Sequence, residues 1–249
     1  MKVVIDDKTC EAEYGEYVLA VAKRNGIDIP TLCHSDALTG LGTCRLCVVE
    51  LMEAQKTKVV ASCIYPITRE LEIRTDSYRI FRMRKTIMSL LLSRAPENEY
   101  LNGIARQYGL QPLKLRELPD KADDCILCGL CVKACEEVGA IAISTAGRGI
   151  SKKISTPYDE PSLACVGCGS CAAVCPTGAV GIEEKDGTRT IWGKTFKMLR
   201  CEKCGEYFET KEYFEFMEKK LGQIIDNRYC SSCKKAIHGS KYRDIYGVK

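Results

Sequence analysis

Cys125-Ile126-Leu127-Cys128-Gly129-Leu130-Cys131-Val132-Lys133-Ala134-Cys135 is answered further along by Cys165-Val166-Gly167-Cys168-Gly169-Ser170-Cys171-Ala172-Ala173-Val174-Cys175-Pro176, and this pair of stretches decides the fold. Both run C-x2-C-x2-C-x3-C, and each leads into a similar tail, Gly139-Ala140-Ile141 and Gly178-Ala179-Val180. Two-residue gaps let a looping backbone present three thiolates to three corners of one iron–sulfur cube. The fourth cysteine, one helical turn on, points towards the other cube. The expected ligand sets are therefore crossed: Cys125, Cys128, Cys131 and Cys175 for one [4Fe–4S] cluster, and Cys135, Cys165, Cys168 and Cys171 for the other. Gly129, Gly167 and Gly169 suit a backbone that passes close to a cluster. Structural or zinc-binding thiols are the alternative, and eight cysteines in one register argue against it. Glu136 stands where the second repeat has Pro176; proline is no ligand, so the site is expected to survive the change.

Outward from this repeat, the 249-residue chain holds 17 cysteines and only 2 histidines. The N-terminal Met1-Lys2-Val3-Val4-Ile5-Asp6-Asp7-Lys8 lacks a signal-like apolar core, and the apolar run at Ile87–Leu92 is broken by Ser89 and too short to cross a bilayer. A cytoplasmic, reducing setting is expected, where regularly spaced cysteines bind metal more often than they form disulfides. The net charge of +4 is mild. Without a strong basic footprint, nucleic acid is not an expected partner. The cluster Arg79, Arg82, Arg84 and Lys85 reads as a solvated helix face, or else as a docking surface for an acidic partner.

Near the N-terminus, Lys2–Asp6 and Cys10–Tyr14 predict a hairpin turning at Asp6-Asp7-Lys8, and Tyr17–Asn25 predicts a helix stopped by Gly26. Further strands are expected at Cys47–Leu51, Val59–Ala61 and Leu71–Arg74. Cys33, Cys44, Cys47 and Cys63 form a C-x10-C-x2-C-x15-C set able to wrap four thiolates around a two-iron cluster, with Gly40, Gly42 and Thr43 loosening the loop. A zinc site is the alternative, although such long gaps around one tight pair are unusual for a zinc ribbon. Next, Ile80, Met83, Ile87, Leu90 and Leu91 recur at helical spacing, and Pro96-Glu97-Asn98-Glu99 opens a second helix that Gly109 ends. This connector is expected to carry no chemistry of its own. Near the C-terminus, Cys201-x2-Cys204 and Cys230-x2-Cys233 flank a helix at about Lys211–Leu221, giving a four-sulfur site in zinc-ribbon layout. Another cubane or a single iron remain open there. Cys10 is expected to be a buried small hydrophobe, His34 and His238 to be non-ligands, and Trp192 to be core or interface.

The repeat resembles the bacterial two-cluster ferredoxins. The first quartet, with Thr43-Cys44-Arg45-Leu46-Cys47-Val48-Val49-Glu50, resembles the [2Fe–2S] domain that opens the large iron–sulfur subunit of respiratory complex I and of related NAD-linked hydrogenases and formate dehydrogenases. In that family the connector carries a histidine and three cysteines for a further cubane. Ile64–Asp124 contains neither residue type, so that cluster is expected to be absent, and the two-iron site must reach the cubanes either by closer packing or through a partner. The expected architecture is α+β: a [2Fe–2S] β-grasp ferredoxin domain at 1–75, a helical connector at 76–120, a two-[4Fe–4S] ferredoxin domain at 121–184, and a small four-cysteine, zinc-ribbon-like domain at 185–249, with zinc the expected metal.

No G-x-G-x-x-G or P-loop motif is present, and every expected ligand set is complete, so electron transfer without a substrate site is the expectation. The resemblance implies a subunit of a hydrogenase, formate dehydrogenase or electron-bifurcating complex, NAD(P)H- or ferredoxin-linked. Its implied partners are a flavin- and NAD-binding diaphorase-like subunit and a catalytic oxidoreductase subunit. The alternatives are the iron–sulfur subunit of a fumarate reductase or succinate dehydrogenase type complex, and a redox or iron sensor.

Overall fold

The computed structural model describes residues 1–53, 56–110, 124–224 and 228–246. The end of the expected connector, 111–120, and the start of the expected dicluster segment, 121–123, lie outside the described residues.

The N-terminal lobe is built on strands β1 (Lys2–Ile5), β2 (Lys8–Glu11), β3 (Val48–Glu53), β4 (Lys56–Ala61) and β5 (Leu71–Arg74), in the sheet order β2-β1-β5-β3-β4. β1 and β5 are parallel; the other pairs are antiparallel. Asp6 and Asp7 close the first hairpin with φ of 46° and 64°, the left-handed pair of a type I′ turn that matches strand twist. The Asp6 carboxylate then ties that turn to the end of β5, accepting 2.7 Å from the Thr75 N–H. Helix α1 (Val18–Arg24) buries Val18, Leu19, Val21 and Ala22 on the sheet, and Cys10 joins the same apolar core. This α+β lobe has the β-grasp order expected of it.

Helices α2 (Tyr78–Arg94) and α3 (Glu99–Gln107) follow, capped by Ser77 and Asn98, whose side chains accept from Ile80 N and Leu101 N. The buried stripe of α2 is Ile80, Arg84, Met88 and Leu92, with Met83, Ile87 and Leu91 half-buried beside it. Leu90, placed on the apolar face by spacing alone, points outward. Arg84 is a second departure. Instead of standing in water with Arg79, Arg82 and Lys85, it is 7 % exposed, and its guanidinium donates to the carbonyls of Leu46 (3.2 Å) and Val48 (2.8 Å). A long guanidinium stem can follow apolar surface while its head reaches backbone acceptors, a contact that sequence charge patterning does not register.

The connector also does more than join. Arg94 Nε donates to the carbonyl of Cys125 at 2.9 Å, and Asn98 Nδ2 donates to the carbonyl of Thr177 at 2.9 Å. Both helices thus hold the segment beyond them.

That segment carries α4 (Leu130–Val138), the small hairpin β6 (Ser144–Ala146) and β7 (Lys153–Ser155), and the short α5 (Ser170–Ala173). A four-stranded antiparallel sheet follows, ordered β11-β10-β9-β8, from β8 (Ile182–Lys185), β9 (Thr188–Ile191), β10 (Lys194–Arg200) and β11 (Tyr207–Thr210). The 184/185 division expected from sequence falls inside β8. Helix α6 (Lys211–Leu221) begins at the Thr210 cap, and α7 (Ser231–Tyr246) closes the described chain. Among the described residues, no helix is long and apolar enough to cross a membrane.

Candidate metal centres and the contacts between them

The first quartet lies under the loop that precedes β3. Cys33, Cys44, Cys47 and Cys63 are all buried; the Cys44 N–H donates to Cys33 Sγ at 3.4 Å, and the sulfurs of Cys47 and Cys63 lie 3.3 Å apart. Hydrogen bonds from the Cys44 and Cys63 thiols hold Cys33 well below the ordinary thiol range, and the Cys63 thiol lowers Cys47 to about 6. Their partners, Cys44 and Cys63, are pushed up correspondingly. Four buried sulfurs, two of them favouring the thiolate, form a negative pocket that suits a bound iron cation pair. The glycines of this loop are needed for close approach more than for freedom. A side chain at Gly42 would meet Ile64 Cδ1 at 2.6 Å, and one at Gly40 the Cys63 carbonyl oxygen at 2.8 Å.

The repeat folds as two cavities with crossed walls. One is lined by Cys125, Cys128, Cys131 and Cys175, the other by Cys135, Cys165, Cys168 and Cys171. Crossing follows from local geometry: Cys131 and Cys135 lie on the same short helix, α4, and serve opposite cavities. The two ligand loops match in backbone. Leu127 (φ 53°) and Gly167 (φ 71°) hold one left-handed position, Gly129 (φ 82°) and Gly169 (φ 74°) the other. Leucine there is strained, which is tolerated where the surroundings dictate the conformation. Backbone N–H groups face sulfur, Leu127 to Cys125 at 3.4 Å and Ala142 to Cys135 at 3.2 Å. Burial pushes the metal-free thiols of Cys128 and Cys171 up to about 11 and Cys131 to about 12. Sulfur-lined, mainly apolar cavities with amides directed at sulfur fit [4Fe–4S] clusters.

The second ligand loop is gripped from outside its own motif. Lys194 Nζ donates to the Cys165 carbonyl (2.8 Å), Thr210 Oγ1 to Val166 (2.6 Å) and Arg189 Nη1 to Gly167 (2.8 Å). Trp192, in the turn between β9 and β10, lines both cavities and directs its indole N–H at Cys171 Sγ, 3.4 Å away. Trp192 was expected as core or interface, and Lys194, Arg189 and Thr210 lie outside the cysteine motifs with no ligand signal of their own.

Between the lobes, Thr43 Oγ1 donates to the Cys128 carbonyl at 2.6 Å. Cys33, Cys44 and Leu46 share one apolar core with Ile126, Cys128 and Leu130, and with Met88 and Leu92 of the connector. The two-iron lobe therefore packs directly on the wall of the first dicluster cavity.

The last quartet closes the β10–β11 turn. Cys201, Cys204, Cys230 and Cys233 bring their sulfurs within 4.8 Å of one another. The Cys230 N–H donates to Cys201 Sγ at 3.3 Å, and the Gly205 N–H to the Cys201 carbonyl at 2.8 Å. His34 Nε2 lies 3.5 Å from Asp36 Oδ1, and His238 is exposed on α7.

This geometry matches two iron–sulfur cluster-binding domain families. Residues 1–78 match the "2Fe-2S iron-sulfur cluster binding domain" family and residues 124–179 the "4Fe-4S dicluster domain" family. In this order the two domains resemble the iron–sulfur region of complex I and NAD-reducing hydrogenase subunits. The chain is similar to a subunit of the NADH-quinone oxidoreductase of Rhizobium meliloti (strain 1021), 31 % identical over 206 residues, covering 72 % of this chain and 24 % of that protein. It is similar to the "NADP-reducing hydrogenase subunit HndD" of Solidesulfovibrio fructosivorans, 32 % identical over 211 residues, covering 72 % and 36 %. Among solved structures it matches an NAD+-reducing [NiFe]-hydrogenase in the H2-reduced state, with TM-score 0.60 and 27 % identity, over 72 % of this chain and 85 % of that one. The chain thus spans only about a quarter to a third of those two relatives, and neither domain family reaches the last quartet.

Proposed function

We propose that this chain is an electron-transfer subunit of a multi-subunit oxidoreductase, relaying single electrons through one [2Fe–2S] and two [4Fe–4S] clusters. Cys33, Cys44, Cys47 and Cys63 would hold the two-iron cluster. Cys125, Cys128, Cys131 and Cys175 would hold the first cubane, and Cys135, Cys165, Cys168 and Cys171 the second. When bound, such clusters take up and release one electron at a time without touching substrate. The chain's own residues bury the sulfurs, exclude water and aim N–H groups at them.

One observation carries the reading: Cys33 and Cys44 of the two-iron quartet and Cys128 of the first dicluster quartet lie in a single apolar core, joined by the Thr43–Cys128 hydrogen bond. In a relay without the histidine-ligated cubane, this direct contact gives electrons a path that needs no partner. The electron route would run from the two-iron site to the first cubane and then to the second. Its outer partners would be a flavin- and NAD-binding subunit and a catalytic subunit such as a hydrogenase or formate dehydrogenase; the hydrogenase and NADH oxidoreductase named among its relatives support a pyridine-nucleotide-linked complex.

At the C-terminal quartet we infer one zinc ion. Zinc–sulfur bonds of about 2.3 Å set tetrahedral sulfurs about 3.8 Å apart. Sulfurs within 4.8 Å of one another suit a single ion. A four-iron cube spaces its cysteine sulfurs more widely.

The test is anaerobic purification through a tag on this chain, with mass spectrometry of its companions and metal analysis. About ten iron and one zinc per chain are expected, together with a flavoprotein and a catalytic metalloenzyme. Isolation of the fully loaded chain without companions would replace the subunit reading with a free carrier.

A further inference from the structure

Trp192 occupies the first position of the two-residue turn joining β9 to β10, with φ of 51°, followed by Gly193 at 70°. Such turns favour Asn, Asp and Gly, and the two other turns of this kind in the described chain use Asp6-Asp7 and Asp186-Gly187. Folding the hairpin does not call for tryptophan there, and a bulky side chain in the left-handed region is unfavourable. Backbone strain held in place by its surroundings is a pointer to function when something specific is gained. What is gained here is an indole donor 3.4 Å from Cys171 Sγ, on a ring that walls both dicluster cavities.

We propose that Trp192 is a positioning residue that sets the reduction potential of the second cubane by donating its indole N–H to the Cys171 sulfur. The proposal rests on the ligand set assigned above. A hydrogen bond to sulfur strengthens as negative charge accumulates on the cluster, so it favours the reduced form and raises the potential. The donor comes from beyond residue 179, where the dicluster family match ends, so the C-terminal sheet supplies part of this site. Lys194, Arg189 and Thr210 fix the distance by holding the carbonyls of Cys165, Gly167 and Val166. The first cubane serves as the internal control, because the N–H is directed at Cys171.

Trp192→Phe keeps the ring and removes the donor. Redox titration of the intact, anaerobically purified chain, followed by low-temperature EPR, should move one cubane to more negative potential. The expected change is about tenfold in its reduction equilibrium, or about 59 mV for a one-electron couple. The other cubane and the two-iron cluster should stay where they were. Resonance Raman Fe–S(Cys) bands should shift between H2O and D2O in the native chain and lose part of that shift in the variant. Unchanged potentials in a fully loaded variant overturn the proposal. If the variant does not load, selective labelling of Trp192, the single tryptophan, decides in the native chain: no coupling of its indole N–H to the reduced second cubane overturns the proposal. Cys171→Ala, which leaves no oxygen able to replace the thiolate on iron, tests the ligand assignment by itself. If it leaves both cubane signals intact, the ligand assignment has failed, and the proposal with it.

Discussion

Thr43 Oγ1 donates a 2.6 Å hydrogen bond to the carbonyl of Cys128 across 85 residues of chain, joining the residue before one expected two-iron ligand to an expected ligand of the first cubane. This contact links the two lobes directly. Thr43→Val should leave all clusters loaded while removing the link. A neutral hydrogen bond of this kind contributes about 1 kcal/mol. Stopped-flow reduction is expected to show slower appearance of the reduced first cubane after the two-iron cluster, with equilibrium potentials little changed. An unaltered rate would mean that electrons cross elsewhere in the shared core.

Arg84 places a buried positive charge behind the Cys44–Cys47 loop, and among the described residues no carboxylate lies within ion-pair distance of it. Burial lowers its pKa, and the charges around it, Tyr108 and Cys47 foremost, oppose that shift. Arg84→Met should drive the two-iron potential negative and leave both cubanes unmoved, since the cation favours the more negative, reduced cluster. Arg84→Lys should retain most of the potential and lose stability, because an ammonium cannot span both carbonyls as a planar fork does. EPR-monitored titration alongside chemical denaturation distinguishes these outcomes.

The C-terminal quartet pins the β10–β11 turn, and those strands carry Lys194 and Thr210, which hold the second ligand loop. Cys204→Ser should therefore release zinc and also make the second cubane labile. Exposed to an iron chelator, the variant is expected to fall from about ten irons to about six, while the first cubane and the two-iron cluster persist. Loss of zinc with all iron retained would make the ribbon independent of the cubane.

Metal loading should be pH-dependent in a definite direction. In the metal-free chain, burial raises Cys128 to about 11 and Cys131 to about 12 from an ordinary 9.0. A thiol whose folded pKa is raised costs nothing below its unfolded value and destabilises as pH climbs past it. The metal-free protein should therefore weaken between about pH 9 and 12. Cluster binding needs thiolates and releases those protons, so iron uptake should improve as pH rises from about 7 to 9. Anaerobic reconstitution at several pH values, read by iron content, checks this; uptake that declines over the range would contradict it.

Much of the chain's chemistry is written in spacing. The x2 and x3 gaps of the repeat set which cysteines share a loop, and one α4 turn sends Cys131 and Cys135 to opposite cavities. Asp6-Asp7 and the alternation around it are equally local, so the first hairpin could be read directly. Short-range geometry depends on a few torsions, and residue type constrains those torsions strongly. Arg84, Thr43 and Trp192 were not legible in the same way. Arg84 shares its charge with three solvated neighbours, and only packing of α2 against the Leu46–Val48 backbone turns it inward. Thr43 was read as loop freedom, and Trp192 lies outside the cysteine motif it serves. The absence of cysteine and histidine from Ile64–Asp124 set the expectation that one cluster is lacking, yet not how the remaining ones meet. Direct packing of the two-iron lobe on the first cavity was decided by tertiary structure. Contacts between residues far apart in sequence arise from burying apolar surface over the whole chain, and no local pattern encodes them.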